Sequence, residues 1–119
     1  MNTRIASTES EQLERRRLVC VVSRMLAGGL PFLEGAVQVA AMRDGVGGVS
    51  TFDDDFKVFT AIVSETDHLP LAAQEHLWNP ESLRRLHLER EKSEAWARSI
   101  ALGACSSLIE RFKDTQLRV

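Results

Sequence analysis

The chain of 119 residues contains no tyrosine, two tryptophans, five phenylalanines and only two cysteines. Aromatic side chains stack on nucleic-acid bases and dominate binding hot spots. Because the chain has so few of them, we expect its functional surface not to be aromatic. Cys20 and Cys105 both lie in an apolar helical context. We therefore expect two small core residues rather than a disulfide pair.

A strong charge of either sign is also missing. Fifteen Lys and Arg residues against 17 Asp and Glu residues give a formal net charge of −2, without the basic excess that nucleic-acid binding requires. No apolar run approaches the roughly 20 residues needed to cross a bilayer, and the N-terminus lacks the apolar stretch of a secretory signal. We expect a cytoplasmic protein that binds neither nucleic acid nor membranes.

Catalytic motifs are missing as well. There is no Gly-x-Ser-x-Gly sequence for a nucleophilic serine, and Gly45-Val-Gly-Gly48 lacks the ending of a phosphate-binding loop. The three histidines, His68, His76 and His87, have the loose spacing to carboxylates that occurs by chance in soluble proteins. An enzyme is disfavoured, no catalytic residue is assigned and no cofactor is expected.

Helical signals cover most of the chain. Thr8-Glu-Ser-Glu11 fits a capping box, which predicts a first helix over residues 9–27, after a disordered tail of residues 1–7. Gly28 and Gly29 predict its end, and Pro31 predicts the first turn of a second helix that runs to residue 43. Thr51 or Asp53 is predicted to cap a third helix. This helix carries an apolar stripe at helical spacing, which is predicted to face the core: Phe52, Phe56, Phe59, Ile62 and Val63.

A short helix over residues 71–78 and a long final helix are predicted next. The long helix begins with Asn79 as cap and Pro80 in the first turn, and at 1.5 Å per residue it would reach roughly 50 Å, so we expect a bend or break. Residues 84–94, including an Arg90/Glu94 pair, are predicted to be solvated, whereas the apolar face that begins at Trp96 and includes Ile100 is predicted to lie in the core. The prediction is one all-α domain over residues 1–119, a compact helical bundle of four to five helices with a long C-terminal helix.

Two groups of polar residues are candidate sites. Residues 53–67 contain five acids and one lysine, which would complement a basic partner, and together with a nearby tryptophan they give the predicted partner-binding set: Asp53, Asp54, Asp55, Glu65, Asp67 and Trp78.

Within that segment, Glu65 and His68 have the Glu-x-x-His spacing of di-iron bundles and are the candidate metal ligands. A second such motif is absent, although Glu34 and Glu75 could supply carboxylates. We favour a hydrogen-bonded turn in which Asp67 caps the following segment.

The order of residues from Leu26-Ala-Gly-Gly-Leu30 through Phe52-Asp-Asp-Asp-Phe56 and Ser64-Glu-Thr-Asp-His-Leu-Pro70 to Trp78 resembles a family of small bacterial proteins of unknown function. The resemblance covers residues 17–112, and its most specific part is Ser64-Glu-Thr-Asp67 followed by Leu69-Pro70. It implies an all-helical fold and carries no established activity, so no functional residue is transferred from it.

Small, mildly acidic helical proteins without catalytic signatures also look like the immunity proteins that neutralise toxins secreted between bacteria. The leading prediction is therefore a protein-binding module of the immunity or antitoxin type, which blocks a cognate toxin through its acidic surface. Two alternatives stay open. One is a metal-binding or enzymatic bundle that uses Glu65, Asp67 and His68, and the other is a homodimeric structural or scaffold protein in which residues 84–94 form the subunit contact.

Overall fold

A computed structural model of the chain describes residues 8–69, 71 and 76–114. Within these ranges there are four α-helices and no β-strand: α1 (Glu9–Ala27), α2 (Phe32–Val46), α3 (Asp54–Thr66) and α4 (Pro80–Phe112). The predicted all-α class with a long C-terminal helix is confirmed. The predicted tail over residues 1–7 and most of the predicted short helix over 71–78 lie outside the described residues, although residues 76–77 form a short 3₁₀ turn.

Both ends of α1 follow local sequence signals. The Thr8 hydroxyl accepts the Glu11 N–H at 3.1 Å, and the Glu11 carboxylate accepts the Thr8 N–H at 3.1 Å, which is the predicted capping box. Gly28 ends the helix with φ of 87°, a left-handed conformation that residues with a Cβ rarely adopt. The predicted bounds of α1 are therefore confirmed.

Each helix packs mainly against two neighbours. α1 and α3 each contact both α2 and α4, so the four helices surround one core. The largest fully buried side chains come from all four helices and include Leu18, Met25, Val39, Phe56, Phe59, Ile62 and Leu108.

The start of α3 confirms one of its two predicted caps but not the predicted place of Phe52. Asp53 is the N-cap residue, and its carboxylate accepts the N–H groups of Asp55 and Phe56 at 3.0 and 3.2 Å. The helix therefore begins at Asp54, and the apolar stripe enters the core from Phe56 onward. Phe52 lies in the preceding turn and is 80% exposed, so the prediction that it faces the core is wrong.

α4 is continuous over 33 residues, without the expected break. Its buried side chains all lie at or beyond Ala97, and none between Pro80 and Trp96 is buried. Trp96 and Ile100 are 38% and 36% exposed, so the prediction that these two residues lie in the core is wrong. The molecule measures 56 × 27 × 24 Å along its principal axes. The N-terminal half of α4 is therefore held less firmly by the core than its C-terminal half.

The two cysteines differ in environment. Cys105 is buried in α4, as predicted, but Cys20 is exposed. The buried side of α1 is formed by Leu18, Val22 and Met25, and a residue two positions after Leu18 points to the opposite side of a helix. The prediction that Cys20 is a core residue is therefore wrong.

Candidate partner-binding site at the α2–α3 loop

The loop that joins α2 to α3 is attached to α1 at its start. Arg15 Nε donates to the Val46 carbonyl at 2.6 Å, and Arg15 Nη2 donates to the Gly47 carbonyl at 3.0 Å. Carbonyl groups at the end of a helix have no partner within that helix, and a cation there also interacts favourably with the helix dipole. Arg15 therefore closes α2 and fixes the first residue of the loop.

The other end of the loop is attached to α4. The guanidinium of Arg111 donates to both carboxylate oxygens of Asp53, at 3.0 and 2.8 Å, and also to Asp55 at 2.9 Å. The Ser107 hydroxyl donates to Asp55 at 2.5 Å. The hydrogen bond from Arg111 holds the pKa of Asp53 below its usual value; partial burial opposes this effect and the two helix-start N–H groups add to it.

The two arginine attachments meet on one aromatic ring. The guanidinium carbons of Arg15 and Arg111 lie 5.5 and 5.2 Å from the ring centroid of Phe112, the last residue of α4. Cations at this distance from a ring are attracted by its quadrupole. The two arginines that hold the two ends of the loop therefore both contact the ring of Phe112.

Within the loop, the backbone turns on Ser50. The Ser50 hydroxyl accepts the Phe52 N–H at 3.0 Å, and the Ser50 carbonyl accepts the Asp53 N–H at 3.1 Å. The turn projects Phe52 outward at 80% exposure. The Asp54 side chain is 95% exposed, with Lys57 at 3.6 Å. The loop, held by hydrogen bonds at both ends, therefore presents an exposed aromatic ring, and an exposed carboxylate follows two residues later at the start of α3.

The acids of the predicted partner-binding set are divided between the two ends of α3. At the N-terminal end, Asp53 and Asp55 contact Arg111 of α4. Asp54 is instead 95% exposed, and it forms an ion pair with Lys57 of the same helix. Glu65 and Asp67 are exposed at the other end, roughly 16 Å and 20 Å along the helix axis from Asp54.

The tryptophan of the set lies elsewhere. Trp78 belongs to the connection that precedes α4 and is 37% exposed. The assignment of all six residues to a partner surface stays a prediction.

The residues of the predicted metal site are not gathered around one point. His68 Nε2 contacts Glu89 Oε2 of α4, and both side chains are about half exposed. Across the described residues, no group of three or more His, Cys, Asp or Glu side chains is placed to hold a metal ion, while Glu75 lies outside them. The favoured turn is present in part, since Leu69 N–H donates to the Thr66 carbonyl at 3.0 Å and Asp67 directly follows α3.

Glu94 has a role that the sequence pattern does not predict. The charge pattern places Glu94 in the solvated half of α4, but its carboxylate accepts the N–H groups of Phe32 and Leu33 at 2.5 and 3.1 Å. Pro31 stands at the N-cap of α2 and provides no side-chain cap, so α4 supplies one. The absence of Ser, Thr, Asp or Asn immediately before α2 indicates that its first N–H groups need a cap from elsewhere, but it does not indicate that Glu94 supplies the cap.

A cleft of about 590 Å³ lies beside this contact, between the start of α2 and α4. Its apolar wall includes Met25, Leu30 and Phe32. At its rim, His87 contacts Glu91 at 3.0 Å, and Arg98 lies 5.9 Å from the Phe32 ring centroid. The rim carries both signs of charge, so its chemistry does not select one class of ligand.

Comparison of this chain with protein-family models, with curated proteins and with solved structures finds no match. The resemblance to a small bacterial family and the analogy to immunity proteins therefore stay predictions. Within the described residues, no helix has the combination of length and apolar character that a membrane span needs.

Proposed function

We propose that this chain is a protein-binding module that inserts Phe52 into a pocket of a partner protein, with Asp54 placed to meet a basic group beside that pocket. The observation that carries the proposal is the 80% exposure of Phe52 on a loop fixed to both α1 and α4. Buried aromatic anchors contribute much of the energy of protein interfaces, and a loop that is already ordered loses little entropy on binding.

The specific form that we propose is an immunity or antitoxin protein, which blocks a cognate toxin by covering its active site. Support comes from the small, mildly acidic, helical character of the chain and from the exposed carboxylate of Asp54, two residues after Phe52. Electrostatic attraction would speed the encounter with a basic toxin surface, and insertion of the ring would slow dissociation. An adjacent toxin gene is the genomic arrangement that this form predicts.

The experiment that tests the proposal is affinity capture from a lysate of the source organism. The bait proteins are the wild type, Phe52→Ala, Asp54→Asn and a control, Leu13→Ala, which truncates a 52% exposed side chain on α1. We expect one stoichiometric partner that the wild type and the control retain and that Phe52→Ala loses.

With the purified partner, titration calorimetry should give about 30-fold weaker binding for Phe52→Ala, the effect of a hot-spot residue. Asp54→Asn should mainly slow association, and should do so less at high salt. A partner that binds Phe52→Ala as tightly as the wild type would show that this loop is not the binding site.

A further inference from the structure

The middle of α4 carries very little charge. Between Glu94 and Glu110, Arg98 is the only charged residue. One side of this segment packs into the core, but the opposite side faces solvent, with Trp96, Ile100 and Leu102 each 36–38% exposed. The solvent side of a surface helix is normally polar or charged. This side of α4 therefore has the composition of a contact surface, and no other part of the described residues covers it.

We define the outer face of α4 from the helical repeat of about 100° per residue. It consists of exposed residues that share this side of the helix: Leu88, Lys92, Ala95, Trp96, Ser99, Ile100, Leu102, Gly103, Ser106 and Glu110. Small residues form its centre line, and the larger apolar side chains flank them. Small side chains along a helix allow a second helix to approach to about 8 Å.

Two copies of the outer face, packed antiparallel, complement each other in side-chain size and in charge. Trp96 lies five residues before Ala101, and Ser106 lies five residues after it. In the same way, Lys92 lies nine residues before Ala101 and Glu110 nine residues after it. A twofold axis at the level of Ala101 therefore places each large ring over a small side chain and each cation beside a carboxylate. Ser99 and Gly103, two residues on either side, meet at the centre.

We propose that a second copy of this chain packs antiparallel on the outer face of α4, with the twofold axis at the level of Ala101. A twofold contact uses the same patch on both subunits, so a patch that complements itself in both volume and charge fits a second copy. A parallel pair would instead place Lys92 against Lys92 and Trp96 against Trp96. The contact is separate from the Phe52 loop, and it places the homodimer contact at residues 88–110 instead of the predicted residues 84–94.

Gly103 makes a sharp test possible. A Cβ built at this position meets no atom of residues 8–69, 71 or 76–114 within 4 Å, so a longer side chain fits the isolated subunit. In the antiparallel pair the same side chain would strike Ser99 of the second copy. We therefore expect Gly103→Gln to abolish dimerisation without lowering the melting temperature, because glycine is itself unfavourable inside a helix.

The measurement is sedimentation equilibrium of the full chain up to high micromolar concentration. For the wild type we expect a mass approaching twice 13.3 kDa, with a dissociation constant of about 10–100 µM for a contact made mainly by one helix. Gly103→Gln should sediment at 13.3 kDa. Ala61→Gln, the matched control at an exposed small residue of α3, should dimerise as the wild type does.

Charge exchange tests the antiparallel register. Lys92→Glu and Glu110→Lys should each weaken dimerisation by about tenfold, since each replaces two attractions by two repulsions. The double variant should recover it, and an equimolar mixture of the two single variants should form heterodimers. Lys113 lies 2.9 Å from Glu110, so the melting temperature of each variant is compared with the wild type.

Three results would overturn the proposal: a wild type that stays monomeric, a dimer that Gly103→Gln leaves intact, or a double variant that does not recover. Phe52→Ala should leave the dimer unchanged. Loss of a captured partner by Phe52→Ala therefore tests the proposed function separately from the dimer.

Discussion

At the scale of single residues, the two cysteines should be distinguishable by their reactivity. Burial raises the pKa of the Cys105 thiol to about 11, so almost no thiolate is present at mildly alkaline pH. Cys20 is exposed on α1. With a disulfide-exchange reagent such as Ellman's reagent, we expect one thiol to react quickly in the native protein and the second only after denaturation. Cys20→Ser should remove the fast reaction, and a fast reaction that survives this substitution would contradict the burial of Cys105.

Asp53 is the residue on which the candidate site depends most. Its carboxylate caps α3 and also receives Arg111, so Asp53→Ala should lower the free energy of unfolding by about 1–2 kcal/mol, the usual effect of losing an N-cap. Asp54→Ala, the neighbouring control, removes an exposed carboxylate that does not cap the helix and should change stability by less than about 0.5 kcal/mol. Urea denaturation of both variants measures the difference.

The stabilisation by Asp53 should also depend on pH. Arg111 lowers the pKa of Asp53 in the folded protein from the ordinary value of 3.8, so the ionised form is favoured by folding. This stabilisation is complete above the unfolded pKa and is lost as the pH falls through the folded pKa. The stability gap between wild type and Asp53→Ala should therefore be constant near neutral pH and shrink below about pH 4. A gap that widens on acidification would contradict the ion pair.

At the scale of elements, α2 depends on α4 for its first turn. Glu94 accepts two N–H groups at the start of α2, so Glu94→Ala should lower the free energy of unfolding by about 1–2 kcal/mol. Glu94→Gln should lower the free energy of unfolding by less, because the amide oxygen of glutamine can still accept these N–H groups. Glu91→Ala, one turn earlier at an exposed ion pair with His87, is the control and should lose less than about 0.5 kcal/mol. Equal losses at Glu91 and Glu94 would show that the cap contributes little.

Elements could be predicted wherever their signals are local. The capping box and Gly28 gave both ends of α1, because each signal acts within one turn of the helix end. At α3, two local signals competed: the spacing of apolar residues extended the helix back to Phe52, whereas the carboxylate of Asp53 started it at Asp54. The helix begins after Asp53 because the Asp53 carboxylate accepts two N–H groups of the first turn. Phe52 therefore lies outside the helix, and its ring is exposed.

At the scale of the whole molecule, periodicity was enough for the all-helical class, but not for the contacts that build the site. Arg15 and Arg111 are 96 positions apart and meet on the ring of Phe112. Each arginine alone has the pattern of a solvated helix residue, and no spacing rule links it to the α2–α3 loop. The acidic residues were identified as a group, whereas their division into engaged and exposed members required the packing of α4 against α3.

The same packing makes stability uneven along the molecule. The radius of gyration is 16.0 Å, above the roughly 13.5 Å expected for a compact chain of this length, because α4 is longer than the core that supports it. Its buried side chains begin at Ala97, and the contacts of the preceding turns include the Glu94 cap, the contact between His68 and Glu89, and partial burial of Leu86.

We therefore expect hydrogen exchange at neutral pH to reveal two classes of amide in α4. Amides of residues 84–93 should exchange through local opening, about 100-fold or more faster than those of residues 101–111, which require opening of the core. Glu94→Ala should accelerate the first class and the start of α2 together, because it removes the contact that joins them. A second copy on the outer face would add protection that rises with protein concentration, so dilution separates its effect from that of the core. Uniform protection along α4 in the dilute protein would mean that its two halves unfold as one unit.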